Sequence, residues 1–260
     1  MFGSYFGKKE IVELMLNHSV AKKSYSEKRR NVIRRYGHII FRLFGYPPSV
    51  SVRQRARVIL KYLNPSKGER ILDAGCGIGY YSFELATKFG CKVDGIDIDA
   101  EDIELADQIA LKMHIPTVEF SACDICELKF DDETFDKAIL SEVLEHIRND
   151  EKVLKELNRV LKIGGYLILS TPYVKEVEEY DEQKLKVSQV EGGHIRNGYS
   201  FERLSKMLSD TGFDVVEHCY GNKKFTKDAD FPLFLLMYPI SMLDKFLKGT
   251  GKDIIVKVQK

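Results

Sequence analysis

The residues best suited to chemistry lie around a glycine-rich turn. The stretch ERILDAGCGIG, residues 69–79, ends an apolar run at Asp73 and then places alternating glycines. Because glycine lacks a Cβ, Gly75 and Gly77 allow a ligand to lie against the main chain. A second apolar run ends at Asp97, where a carboxylate can accept both hydroxyls of a ribose. The spacing therefore predicts a site for a ligand that contains a nucleoside.

A dehydrogenase is the first alternative for such a turn, since dinucleotide folds also use glycine there. The pattern here is GxGxG, with Tyr80 where the dinucleotide fingerprint has its third glycine, and Asp73 directly precedes the turn. Both features disfavour a dehydrogenase. A further acidic residue, Asp124 in FSACDI, follows another candidate strand and is suited to the exocyclic amine of an adenine.

The chain resembles the class I S-adenosylmethionine-dependent methyltransferases, especially the small-molecule "type 11" group. The matching stretches are ILDAGCGIG, GIDID, ACDI, FDKAILSEVLEHI, LNRVLKIGGYLILSTP and GGHIRNGYSFERLSKMLSDTGF, in the order of the family, over roughly residues 66 to 220. The resemblance implies a Rossmann-like fold, S-adenosylmethionine as cofactor and methyl transfer as activity. It leaves the methyl acceptor open.

The resemblance also implies which residues meet the cofactor. Asp73 and the main chain of Gly75 and Gly77 are expected at the methionine part, Asp97 at the ribose and Asp124 at the adenine. The predicted cofactor-binding residues are Asp73, Gly75, Cys76, Gly77, Asp97, Ile98, Asp124, Ile125 and Ser141.

Two histidines are candidates for catalysis, because an alcohol or phenol acceptor is protonated at neutral pH and a nearby base helps its reaction. His146 follows a predicted strand and His194 lies in a stretch expected to cover the substrate, so both are expected to face the cofactor, with Glu142 near the methyl donor. His194 is a candidate for this base. The alternative is that His194 orders the cover and His146 has an architectural task.

A metal site is a second possibility at the same place. In the ubiquinone-biosynthesis O-methyltransferases, which the chain resembles, a Glu-x-x-Glu-His stretch is implicated in holding a divalent cation, and Glu142, Glu145 and His146 match it. Many relatives without a metal also carry Glu-His-Ile, so we do not favour a cation here. Cys123 and Cys126 form a CxxC without a second pair or a nearby histidine, which disfavours zinc.

Length and periodicity predict one domain with appendages. The 260 residues, 44% of them apolar, suffice for one large core. Apolar runs alternate with amphipathic helical stretches, which favours a mainly parallel sheet with helices on both faces, and the family fold has seven strands. We expect a basic helical extension over residues 1–50 and a methyltransferase domain over 51–260. Within it, residues 174–199 would cover the substrate and 223–251 would form an apolar insertion before the last strand.

Particular residues predict where the elements begin and end. Helices are expected at 52–63, 80–89 and 200–210, with Asp99 and Asp150 capping two more. The glycine pair 164–165 is expected to end the helix that follows Asp150. Strands are expected at 117–121 and 135–140, and DVVEHC and DIIVKV are expected to be the last two.

Charge is distributed unevenly along the chain. Residues 1–60 hold 13 Lys and Arg against 3 acids, whereas the rest hold 27 against 36. Such a segment attracts nucleic acid, anionic lipid or the acidic part of its own chain. The apolar stretch 231–243 is shorter than the roughly 20 residues that span a bilayer. Together they predict peripheral binding to an anionic membrane surface, with a buried helix or a contact within a homo-oligomer as the alternative.

Two other classes of function stay open. A nucleic-acid methyltransferase would explain the basic segment, but the chain lacks the Asn/Asp-Pro-Pro-Tyr/Phe motif of base amino-methylation, so nucleic acid is not favoured. A sensor or scaffold that binds S-adenosylmethionine without turnover is disfavoured, because the cofactor motifs are intact. Five cysteines without a secreted spacing pattern, and an N-terminus without a signal peptide, predict a cytoplasmic location.

Overall fold

The computed structural model describes Ile11 and residues 13–15, 50–179, 193–221 and 252–260. Most of the basic N-terminal extension, the middle of the predicted cover and the whole of the predicted apolar insertion lie outside the described residues. Within the parts of the chain that are described, no helix has the length and apolar character needed to cross a membrane.

A sheet of seven strands forms the centre of the described structure. Its strands are β1 Arg70–Ala74, β2 Lys92–Asp97, β3 Val118–Ala122, β4 Phe135–Ser141, β5 Leu161–Pro172, β6 Asp214–Gly221 and β7 Asp253–Gln259. They lie in the order β3-β2-β1-β4-β5-β7-β6. The first five pair in parallel, and β7 runs antiparallel between β5 and β6. The predicted α/β class and the mainly parallel sheet are confirmed.

Helices cover both faces of the sheet, as predicted. They are α1 Val50–Leu63, α2 Tyr80–Glu84, α3 Ala100–Met113, α4 Asp150–Val160 and α5 Phe201–Asp210; a π-helical turn Leu85–Phe89 continues α2, and a 3-10 turn spans Leu144–His146. Successive strand residues point to opposite faces of a sheet. Leu72 accordingly belongs to the core with α4 and α5, whereas its neighbour Ile71 belongs to the core with α1 and α2.

Part of the N-terminal segment packs on this domain. Ile11 and Met15 are buried in a small cluster with Phe83, Leu105 and Ile109. Residues four positions apart share one face of a helix, so this face is apolar where it meets α3. The beginning of the chain therefore contributes to the core on the α3 side.

The predicted cap of α3 is confirmed, and that of α4 is wrong by one residue. Asp99 accepts hydrogen bonds from the first main-chain N–H groups of α3. At α4 the cap is Asn149, whose side chain accepts from the main-chain N–H of Lys152 at 3.2 Å. Asp150 is instead the first helical residue, and its carboxylate is used by Arg196, 46 residues further along the chain.

The predicted end of α4 at a glycine pair is also wrong. The chain passes from α4 directly into β5 at Leu161, and Gly164 and Gly165 lie inside that strand. The register between β4 and β5 shifts there, and a Cβ on Gly165 would come to 2.9 Å from the main-chain oxygen of Asp136. The glycine at 165 thus permits a bulge against β4.

Candidate functional site

The glycine turn after β1 is shaped first by its own packing. Gly75 has φ +72°, and a Cβ there would overlap the side chain of Val143. The main-chain N–H groups of Gly75 and Cys76 donate to the Ile96 oxygen at 2.8 and 2.9 Å. Gly75 is therefore required by the approach of Val143, and these two N–H donors are already in use within the protein.

Gly77 is the glycine of this turn that faces open space. Its φ is +52°, and the nearest atom to a Cβ built there would be Asp102 Oδ2 at 3.9 Å. Its N–H donates to Asp97 Oδ2 at 2.8 Å, and the N–H of Asp99 donates to Asp97 Oδ1 at 3.0 Å. Each carboxylate oxygen has two lone pairs, so Asp97 is held in place and retains acceptor capacity for a diol.

Asp73, which is expected at the methionine part of the cofactor, has its carboxylate inside the turn. Its side chain is 1% exposed, and its Oδ2 accepts from the N–H and the hydroxyl of Ser82 at 3.0 and 2.6 Å. Burial raises the pKa of Asp73 to about 6. The carboxylate ties β1 to α2 inside the turn, so its effect on a ligand is through the shape of that turn.

The adenine side of the predicted site offers an exposed apolar residue beside two carboxylates. Ile98 is 76% exposed, directly after Asp97. Asp124 is exposed, and its Oδ1 accepts from the N–H of Cys126 at 2.8 Å. Ile125 instead points into the core and supports the Asp124 turn from below. An exposed isoleucine can pack against the face of a flat ring, and the two carboxylates can accept hydrogen bonds from hydroxyl and amine groups.

Cys76 is buried and does not act as a thiolate. Its Sγ donates to the Gly77 oxygen at 3.4 Å. Burial, with the charges of Asp73 and Asp97, raises the pKa of the Cys76 thiol far above its usual range. Cys76 therefore contributes packing under the turn.

The ends of β4 and β5 bring polar groups together next to the turn. The Ser141 hydroxyl lies 2.9 Å from that of Ser170 and 3.3 Å from that of Tyr81. Glu142 follows with φ +58°, an uncommon conformation for a residue with a Cβ. The hydroxyl of Ser170 donates to Glu142 Oε1 at 3.4 Å. The predicted neighbourhood of Ser141 and Glu142 is thus a hydrogen-bonded group at the carboxyl edge of the sheet.

Arg55 joins this group from α1, and no sequence motif predicted it. Its guanidinium lies 2.8 Å from Glu142 Oε2 and 3.1 Å from Asp253 Oδ2, and its side chain is 13% exposed. Position 55 follows Val52 by three residues and precedes Ile59 by four, so it falls on the apolar stripe of α1. A charged residue on an apolar stripe is a sequence signal for a buried ion pair, but it does not show which residues are the partners.

The 3-10 turn after β4 and the described end of the cover bring Glu145, His146 and His194 together. One possible ligand atom from each lies within 4.8 Å of the others. The two imidazole rings meet edge to face, with centroids 4.5 Å apart. Glu145 Oε1 lies 4.0 Å from His146 Nε2. The structure thus joins the two predicted histidines with the buried carboxyl group of Glu145; we name this set the Glu-His-His cluster.

Burial shapes the protonation of the Glu-His-His cluster. Burial and the nearby charge of Glu142 raise the pKa of Glu145 to about 8. Burial lowers the pKa of His146, and a hydrogen bond to the Gly193 main chain opposes that shift. Glu145 Oε2 accepts from the Thr171 hydroxyl at 3.1 Å, whereas its buried Oε1 has no hydrogen-bond partner within the described residues.

A buried arginine fixes the segment that carries His194. The N–H of Ile195 donates to the Glu145 main-chain oxygen at 3.0 Å. Arg196, 2% exposed, donates to the Ile147 oxygen at 3.0 Å, to Asp150 Oδ2 at 2.8 Å and to the hydroxyl of Tyr199. The described end of the predicted cover is therefore packed and hydrogen-bonded against the turn after β4.

The ligand set implied by the resemblance is only partly assembled. Glu145 and His146 lie together as that set requires, but Glu142 pairs with Arg55 and is not among the atoms that converge. His194 occupies the third position in its place. The sequence placed His194 near the cofactor but gave no pairing with Glu145, because the two are 49 positions apart and meet only through the fold.

Comparison with known proteins identifies a family that this chain matches. A family model described as "Methyltransferase domain" matches residues 65–227. An O-methyltransferase, cnsE, of Penicillium expansum is 36% identical over 60% of this chain and 55% of its own length. A sterol 24-C-methyltransferase of Kluyveromyces lactis is 27% identical over 72% of this chain and 50% of its own. This chain thus spans between 50% and 55% of the length of these two relatives.

A solved structure shares the fold. Phosphoethanolamine N-methyltransferase 2 of Haemonchus contortus, in complex with S-adenosyl-L-methionine, superposes with a TM-score of 0.62 at 22% identity. The superposition covers 91% of this chain and 60% of that one. The names of the similar proteins include methylation at oxygen, carbon and nitrogen.

Proposed function

Since this chain belongs to the class I S-adenosylmethionine-dependent methyltransferases, we propose that it methylates an oxygen atom of a small or lipid-like acceptor. The observation that carries the proposal is the Glu-His-His cluster, which follows β4 at the carboxyl edge of the sheet. Ligands of open parallel α/β sheets bind at that edge. The cluster supplies there the acid–base groups that a hydroxyl acceptor requires.

The cofactor supplies a methyl group on a positively charged sulfur, so the protein has mainly to bind, orient and exclude water. We assign Asp97 to the ribose hydroxyls, Ile98 to one face of the adenine and Asp124 to its amine. The open side of Gly77 leaves room for the methionine part of the cofactor next to the turn. The exposure of Ile98 and the spare acceptor capacity of Asp97 support this placement.

A hydroxyl acceptor must release its proton as the new bond forms. We propose that His194 takes this proton. Burial lowers the pKa of its neighbour His146, which favours a neutral imidazole there and avoids repulsion between two charged rings. The Arg196 hydrogen bonds hold the segment that carries His194, so this base is already ordered in the folded protein before the acceptor binds.

The test is incorporation of label from S-adenosylmethionine carrying an isotopic methyl group. Incubation with fractionated extract should place label in a small soluble metabolite or a lipid, with a methyl ether or ester in the product. Label in RNA or protein would contradict the proposal. The variant His194→Ala should lower turnover about 100-fold and leave cofactor affinity unchanged, whereas His114→Ala, at the exposed end of α3, should have no effect.

We also propose reversible binding to anionic membranes, supported by sequence alone. The basic residues of segment 1–60 and the apolar stretch 231–243 combine the two contributions that surface binding needs. Sedimentation with anionic vesicles at low salt should pellet the protein, and neutral vesicles or high salt should release it. Deleting residues 231–248 should weaken pelleting; no pelleting of the intact chain would contradict the proposal.

A further inference from the structure

We infer that the Glu-His-His cluster binds one divalent first-row transition ion, of which Zn²⁺ is the representative. This inference rests on the proposed O-methylation for the position of the acceptor, and it replaces the role of His194 as proton acceptor with a role as metal ligand. It assigns His194 as a ligand, a role that the resemblance does not give it.

The donor set is the first argument. Two imidazole nitrogens and one carboxylate oxygen, each from a different side chain, have possible ligand atoms within 4.8 Å of one another. Two histidines and a carboxylate with an open position form a common catalytic set for zinc and for non-haem iron. Both imidazoles are partly exposed, so a further position remains for an acceptor oxygen.

The second argument is the state of Glu145. Its side chain is 1% exposed, yet its Oε1 has no hydrogen-bond partner among the described residues. Buried oxygens are almost always satisfied, so an unsatisfied one points to a missing ligand. Oε1 is also the oxygen that faces His146 Nε2, at 4.0 Å. An ion between these atoms would satisfy the orphaned oxygen.

The third argument is that other groups orient the ligands. The Thr171 hydroxyl donates to the second oxygen of Glu145 at 3.1 Å. A Cβ on Gly193 would lie 3.7 Å from His146 Nδ1, and the ring bonds the Gly193 main chain, so Nε2 is turned toward Glu145. Ligating histidines and carboxylates in metalloproteins are held by outer hydrogen bonds of this kind.

The distances require a small contraction. With bonds of about 2.1 Å to nitrogen and oxygen, ligand atoms around a tetrahedral ion lie roughly 3.4 Å apart. The Glu145 oxygen and His146 nitrogen would therefore approach by about 0.6 Å from their 4.0 Å separation, and any pair at the 4.8 Å limit of the cluster by about 1.4 Å. Rotation of the partly exposed histidine rings can supply this movement without displacing Glu145.

The chemistry of the donors selects the class of ion. Mg²⁺ prefers oxygen ligands and retains waters, whereas imidazole suits Zn²⁺, Fe²⁺ and their neighbours. Glu142 is occupied by Arg55 at 2.8 Å and does not join the set. A bound ion would lower the pKa of an acceptor hydroxyl, as Zn²⁺ does for water. The hydroxyl proton would pass to solvent while the methyl group moves from sulfur to oxygen, and His194 would then be a ligand in place of the proton acceptor.

The experiment measures metal binding by the full chain without any acceptor. Chelator-treated protein is titrated with Zn²⁺ by calorimetry and with Co²⁺ by visible absorption, in a Cys123→Ser/Cys126→Ser background that removes the CxxC thiols. One ion should bind per chain. His194→Ala and Glu145→Gln should each weaken it at least about 10- to 100-fold, which is the loss typical of even the outer partners of a metal site.

Two controls separate this site from its alternatives. Glu142→Gln and His114→Ala should keep the Zn²⁺ affinity within about twofold, whereas an equal loss in Glu142→Gln would overturn the assignment of His194 in favour of the Glu142 set. Absence of saturable binding, or equal affinity in His194→Ala and the parent, would also overturn it. Cofactor affinity, measured on His194→Ala and Glu145→Gln, should stay unchanged. Label transfer by metal-free protein tests the proposed function separately, since that function stands if transfer occurs without an ion.

Discussion

The buried pair of Arg196 and Asp150 gives the sharpest test of how the site is held. In Arg196→Met the side chain keeps most of its apolar volume and loses every donor. The structure then leaves Asp150, 8% exposed, with only the more distant Arg203 at 4.0 Å, and leaves the Ile147 oxygen without its donor. Removing one member of a buried ion pair costs about 3–5 kcal/mol. We expect about 3 kcal/mol, because the hydroxyl of Tyr199 still donates to Asp150 at 2.9 Å.

The assay is urea unfolding followed by circular dichroism, with methyl transfer measured where each variant is fully folded. Arg203→Met is the matched control: it approaches the same Asp150 at 4.0 Å from the surface, with a side chain 39% exposed, and should cost about 1 kcal/mol or less. Adding Asp150→Asn to Arg196→Met should restore part of the loss, because it removes the uncompensated charge.

Methyl transfer should fall in folded Arg196→Met more than in Arg203→Met, since His194 lies two residues before Arg196. Cofactor affinity should be the same in both, because neither arginine contacts the glycine turn. The reasoning is refuted if Arg196→Met is no less stable than Arg203→Met. It is also refuted if the Asp150→Asn addition makes the double variant less stable still.

Three further predictions concern the cofactor side. Gly75→Ala should destabilise the fold by about 1–3 kcal/mol, because its Cβ would overlap Val143, and Val143→Ala should recover part of that loss in thermal unfolding. Asp97→Ala should raise the cofactor dissociation constant at least about 10-fold in calorimetry, since hydrogen bonds to a charged group contribute about 1.5–3 kcal/mol; an unchanged constant would exclude the ribose assignment. Burial raises the pKa of Asp73 from 3.8 to about 6, so its protonated form stabilises the native state at low pH, and this contribution is lost as the pH rises through 6. The parent's stability advantage over Asp73→Asn, measured as unfolding free energy, should therefore fall by about 1–3 kcal/mol as the pH rises from 3.8 to about 6. A difference that does not change with pH would contradict the burial argument.

The sequence predicted best what local rules determine. Asp99 precedes an apolar stripe and caps α3 as expected, because a cap needs only the residues that follow it. Asp150 misled the prediction because Asn149 beside it is an equally good cap, and Arg196, far away in the sequence, uses the aspartate. Side-chain competition of this kind is decided by tertiary contacts.

In the candidate site, too, the features set by local sequence were predictable and those set by tertiary contacts were not. Asp97, exposed Ile98 and Asp124 lie along one edge because parallel strands end there, which the order of the motifs already indicated. The role of Asp73 was not predictable, since Ser82 on the next helix takes its carboxylate inward. The meeting of Glu145 with His194 was not predictable either, because it depends on how the cover returns to the sheet.

Arg55 has a consequence for where this domain can be cut. The family model spans residues 65–227. Arg55, which pairs with both Glu142 and Asp253, lies before that span, and Asp253 lies after it. Strand β7, which lies between β5 and β6, also falls outside it. A truncation to the matched span would remove the counter-charge of Glu142 and separate β6 from the sheet. Transfer of this site to another scaffold, or comparison of sites by aligned sequence, must therefore carry both flanks.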